Sequence, residues 1–168
     1  MTTKSKHRKP KEGDVMSIPL GDGTYGFGQV CHTGDYAFFD LRTETVPAIE
    51  EIVSHPVAFR VPTVSDASRN GGWAILGNVA PVGSLANPAA YRNQPVGSNQ
   101  LFLIVGNQRI PATYEEVKDF EAMSWWFDHH VVQRLKDHFA GCENRDAETL
   151  RKVKIYDSKT GQEIGTRQ

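Results

Sequence analysis

Cys31 and His32 are adjacent and have the residue types of a nucleophile and its base. Cysteine attack requires a thiolate, which a histidine within hydrogen-bond reach helps to form. The surrounding run, "TYGFGQVCH", reads as a strand, where neighbouring side chains point to opposite faces. The two side chains would not meet, and Cys31 is read as a half-buried strand cysteine. Gly21-x-Gly23-x-x-Gly26 has the glycine spacing that covers ATP phosphates in protein kinases. A kinase also needs a lysine on a following strand, a His-Arg-Asp catalytic loop and an Asp-Phe-Gly metal site. No lysine occurs between Lys11 and Lys118, and neither later motif is present. A dinucleotide site needs a helix after the glycines, and here a second strand-like run follows. The glycines are therefore assigned to a hairpin turn around Asp22-Gly23, where positive φ costs glycine nothing.

The other reactive groupings are equally incomplete. Lys159-Thr160-Gly161 echoes a β-lactamase motif without its Ser-x-x-Lys and Ser-Asp-Asn partners. His130, His138 and Cys142 lack the CxxC or HxxxH spacing of a zinc site. Glu50-Glu51 and Glu115-Glu116 fall on the solvated faces of predicted helices. The chain is thus expected to be no enzyme and to use no cofactor or metal. Trp125 and Trp126 differ in kind, because two adjacent indoles are hard to bury together. Tryptophan is enriched at interface hot spots, and acidic residues surround this pair. Trp125, Trp126, Glu115, Glu116, Asp119 and Glu121 are the expected partner-binding residues, an aromatic anchor ringed by carboxylates and suited to a basic protein.

The elements that position these residues are legible in outline. "DVMSIPL" and "TYGFGQVCH" form the first hairpin, with Pro19 at a strand end or edge, and "DYAFFDL" is a third strand. "VPAIEEIVSHP" reads as a short helix with Pro47 at its first position and Ile49, Ile52 and Val53 on one face. "VAFRVPTV" and "WAILGNV" are strands joined by a turn-rich segment. Residues 78–100 are expected to be an ordered, irregular loop, and "LFLIV" a buried central strand, with "GNQR" turning the chain after it. Thr113-x-x-Glu116 is a capping box. Val117, Phe120, Ser124, Phe127, Val131 and Leu135 share a helical stripe, but Asp128 falls within it. A lone carboxylate there is costly, and Asp is a preferred N-cap. The segment is therefore split into helices near 114–123 and 129–140, with Gly141 at the C′ position of the second. "KVKIYD" and "QEIG" close the chain as a hairpin. The predicted fold class is α+β, mainly antiparallel, with an SH3-like curled sheet, two helices in the C-terminal half and a final hairpin.

The 168 residues suit one domain, with residues 1–11 as a flexible basic tail and 12–168 as the folded unit. No run approaches the ~18 apolar residues of a membrane span. The basic start leads into no apolar segment of a secretory signal, and two distant cysteines fit a reducing cytoplasm. The net charge of −1 conceals a division, since residues 12–150 carry nine Lys/Arg against eighteen Asp/Glu. Such a body repels nucleic acid and steers basic partners toward it.

Several of these segments carry a family likeness. "KEGDVMSIPLGDGTYGFGQV" resembles the opening of the immunity protein 26 family. "GGWAILG" resembles its tryptophan-glycine strand, and "ATYEEVKDFEAMSWWFDHHVVQRLKDHFAG" resembles its C-terminal region. The likeness spans roughly residues 9–142. It implies an α+β immunity protein, encoded beside a bacterial toxin that it blocks in the producing cell, and it supplies no catalytic residues. The expected function is stoichiometric occlusion of a cognate toxin, a nuclease being the kind that an acidic inhibitor suits. The alternatives are a small nucleic-acid-binding barrel using the basic termini and, more distantly, an endoribonuclease on a similar barrel.

Overall fold

The computed structural model describes residues 8–167. Strands β1 (Asp14–Pro19) and β2 (Tyr25–Val30) form the expected antiparallel hairpin. Gly21 and Gly23 take φ of 83° and 84°, and nothing lies within 4 Å of a Cβ built on either. Backbone conformation alone requires glycine there. Gly26 has a different role, because a Cβ would lie 2.9 Å from Leu135 Cδ1. Its bare backbone lets a helix approach the sheet closely.

The chain continues through β3 (Asp35–Phe39), α1 (Ile49–Ser54), β4 (Val57–Pro62), α2 (Ala67–Asn70) and β5 (Ala74–Asn78). The five strands make one sheet in the order β4-β3-β2-β1-β5, and it does not close into a barrel. Period-two alternation divides its side chains between two faces. Val15, Phe27 and Phe39 pack on one side against Ile52, with Ile49 and Val53 from the same helix face. Met16, Ile18, Phe38, Phe59 and Val61 pack on the other. Pro47 lies two residues before the first helical position expected for it, since Ala48 is the N-cap of α1 and Ile49 its first residue.

The stretch expected to be an irregular loop contains a strand, β6 (Ala90–Asn93). With β7 (Leu101–Val105) and β8 (Gln108–Ala112) it forms a second antiparallel sheet, β6-β7-β8. β7 is central as expected, but only Leu101 is buried, because this sheet has one covered face. A buried polar cluster joins the two sheets. Asp35 accepts from Arg60 Nε at 2.5 Å and from the Tyr91 hydroxyl at 2.8 Å. Arg60 also donates to the carbonyls of Ser84 and Asn87, which pins the intervening loop.

Helix α3 (Tyr114–Val117) has the complete Thr113–Glu116 capping box but only four residues, so the expected helix over 114–123 is cut short. α4 (Asp128–Phe139) follows, with Phe127 rather than Asp128 at the N-cap and Gly141 at φ 69° behind it. An unforeseen α5 (Arg145–Arg151) is capped by Asn144 Oδ1, which accepts from Ala147 N at 2.9 Å. β9 (Val153–Tyr156) and β10 (Glu163–Arg167) make the expected final hairpin.

Between α3 and α4 the chain is extended and straps the sheets together. It pairs with β6, where Arg92 N donates to Glu121 O at 2.8 Å and Met123 N to Arg92 O at 2.7 Å. It then pairs with the end of β4, where Trp126 N donates to Pro62 O at 2.9 Å and Val64 N to Trp126 O at 3.0 Å. Arg92, itself buried, donates to the carbonyls of Leu150 and Arg151 and so holds the end of α5 against the strap.

Of the tail expected over residues 1–11, residues 1–7 lie outside the described residues. Arg8 is anchored: its guanidinium holds the buried Asp14 carboxylate at 2.5 and 2.9 Å. Among the described residues no helix is long and apolar enough to cross a membrane.

Candidate functional site

Cys31 directly follows β2 with its side chain buried, and burial pushes its thiol up to about 11. At neutral pH it is a protonated thiol and no ready nucleophile. His32 lies outside, 3.5 Å from Glu12. His138 bonds Asp40 at 2.8 Å, and the His130 ring packs edge-on against Trp126. Among the described residues no three His, Cys, Asp or Glu side chains gather as a metal site.

The two tryptophans are separated by the strap's alternation. Trp126 is 2% exposed and belongs to the main core. Its backbone is fixed to Pro62 and Val64, and its ring lies 6.5 Å from Phe59 with the Arg134 guanidinium 4.9 Å above it. Trp126, expected among the partner-binding residues, thus lies inward in the unbound chain, because an extended strand facing the sheet must send alternate side chains inward. Trp125 points the other way and is 61% exposed. Met123 and Phe127, at the same period of two, are exposed beside it in sequence. Sequence reasoning missed these two because it placed a helix end here.

The four acids are not equivalent. Glu116 is committed to the capping box, accepting from Thr113 N and Oγ1 at 2.8 and 2.9 Å. Those bonds, the backbone one foremost, hold its carboxyl below the usual range. Glu115 is paired with Lys118 at 2.7 Å, which lowers its carboxyl likewise. Glu121 is paired with Arg134. Asp119 is exposed. Glu115 and Asp119 line one open groove of about 610 Å³, together with Lys118, Glu148, Arg151 and Lys152. Asp119 and Glu121 share a neighbouring groove of about 280 Å³. Trp125 instead forms a ridge between two smaller depressions, of about 150 and 210 Å³. The structure thus yields a charged groove and an aromatic ridge, where the sequence reading drew a single ring of acids around an anchor.

The basic ends are partly engaged. Lys154 pairs with Glu163 at 3.0 Å, and the Arg167 guanidinium lies 4.0 Å over the Tyr114 ring.

The sequence model of a known family, immunity protein 26, matches residues 11–100. The chain belongs to the immunity protein 26 family. The matched span holds the whole five-stranded sheet and β6, so the family is read from the scaffold on which the strap is laid. α3 and the strap, which carry the acids and Trp125, lie beyond it, as do α4 and α5. Comparison with curated proteins and with solved structures gave no match. Membership in the immunity protein 26 family connects the chain with toxin immunity and with a cognate toxin as partner.

Proposed function

We propose that this protein neutralises its cognate toxin in the cytoplasm of the producing cell by binding it one to one and covering its working surface. Membership in an immunity-protein family is the observation that carries this reading. The exposed Trp125 ridge and the neighbouring acids supply a chemically suitable contact face. Inhibition by occlusion asks for no catalytic group on the inhibitor. It asks for a buried anchor and an electrostatic field that brings the partner in. The excess of acids over residues 12–150 suits a toxin with a basic working surface, as a nuclease has for phosphate.

The contact residues are Trp125, Glu115, Asp119 and Glu121, with Glu116 holding α3 in place for them. An exposed indole that becomes a central anchor is worth about 2 kcal/mol on truncation, or roughly 30-fold in affinity. The test is titration calorimetry with the toxin encoded beside this protein, using wild type and Trp125→Ala. A stoichiometry of one and a weaker variant are expected. Absence of a complex with wild type would reject the function. An unweakened variant would reject the face.

A further inference from the structure

Trp125, Leu150 and Asp146 all line the depression of about 210 Å³. Three other ring faces in this fold are covered by arginines. Arg109 lies 3.8 Å over Phe102, Arg134 lies 4.2 Å over Phe59, and Arg167 lies 4.0 Å over Tyr114. Among the described residues no cation or aromatic ring lies on Trp125, although it is the most exposed of the three indoles. Asp146 shows the same contrast. Glu115, Glu116 and Glu121 are each held by Lys118, Thr113 or Arg134, whereas Asp146 is exposed and enters no ion pair or side-chain hydrogen bond among the described residues. An uncovered indole face, an apolar wall and an unpaired carboxylate thus converge on one small concavity.

We infer that this depression receives an arginine side chain of the partner protein, its stem against Leu150, its guanidinium stacked on Trp125 and hydrogen-bonded to Asp146; the inference deepens the toxin-binding reading above and rests on it. Arginine fits all three walls at once. Its planar, weakly hydrated head stacks on aromatic faces and pairs bidentately with carboxylates, while a lysine ammonium is a strongly hydrated point charge. Its methylene stem buries against apolar surface. The acidic body delivers a basic segment to this face.

The test uses the purified full chain and two small probes, N-acetyl-arginine methylamide and N-acetyl-norleucine methylamide. Each is titrated while the Trp125 indole N–H is followed by NMR, the signal being assigned from its loss in Trp125→Phe. The arginine probe should shift that signal saturably and bind at least threefold more tightly than the norleucine probe. Asp146→Asn should weaken the arginine probe threefold or more and leave the norleucine probe unchanged. Equal affinity for the two probes would overturn the inference, as would an arginine response indifferent to Asp146→Asn. The readout needs no toxin, so its failure is distinct from a failure of toxin binding.

Discussion

Replacing Trp126 by alanine removes the most centrally placed side chain of the strap. The indole is 2% exposed and packs against Phe59 and His130, with Arg134 above it. Large-to-small changes at such aromatic positions cost about 3–5 kcal/mol, the transfer free energy of the ring plus the cavity it leaves. The loss extends to its neighbours, since Arg134 Nη1 is buried without a hydrogen-bond partner and the guanidinium rests on the Phe59 and Trp126 rings. For a chain of this length each kcal/mol moves Tm by about 2–4 °C, so a fall of roughly 6–20 °C is expected. The adjacent Trp125→Ala, at a 61% exposed position, should stay within about 0.5 kcal/mol of wild type. Thermal and urea unfolding followed by circular dichroism would measure both variants side by side. Equal Tm changes in the two, or a Trp126→Ala protein that melts within 2 °C of wild type (roughly the effect of a surface change), would refute the inward and outward assignment.

Two further outcomes follow from the buried polar groups. Asp14 is buried, which opposes its charge, but hydrogen bonds from Arg8, Asn78 and the Lys11 amide outweigh this and hold its carboxyl below the usual range. Its contribution is therefore complete above the ordinary carboxylate pKa of about 3.9 and is lost as pH falls through the lower folded-state value. The stability gap between wild type and Asp14→Asn, about 1–3 kcal/mol at pH 7 by urea unfolding, should narrow below about pH 4; a gap constant to pH 3 would contradict this. For the cysteines, a disulfide reagent at pH 7.5 should modify the exposed Cys142 promptly and reach the buried Cys31 only on unfolding. Prompt reaction of both thiols in the native protein would show that the end of β2 is open.

Signals that act over a few residues were legible in the sequence. The Asp22-Gly23 hairpin, the Thr113–Glu116 capping box, the stop at Gly141 and the β9–β10 hairpin each depend on neighbours in the chain. The strap was not legible, because its conformation is set by distant partners. The stripe from Val117 to Leu135 has helical phase throughout, yet Pro62, Val64 and Arg92 hydrogen-bond the backbone of residues 121–126 and hold it extended. Pairing of that kind overrides local preference. β6 was hidden for a similar reason, as Arg92 reads as a loop residue until the α5 carbonyls it satisfies are known. α5 did leave a signal, with Asn144 as cap, Asp146 and Glu148 in the first turn and Arg151 in the last. For the candidate site, residue type pointed to the tryptophan pair, but only the strap's alternation separates the exposed member from the buried one.

The central claim, that this protein binds and neutralises a toxin, is tested most directly by mixing it with the toxin encoded beside it and measuring stoichiometry, affinity and residual toxin activity together. The account predicts a complex of one to one in which activity is lost in step with occupancy, and an affinity roughly 30-fold weaker for Trp125→Ala. Toxin that stays fully active in the presence of excess wild-type protein would contradict it.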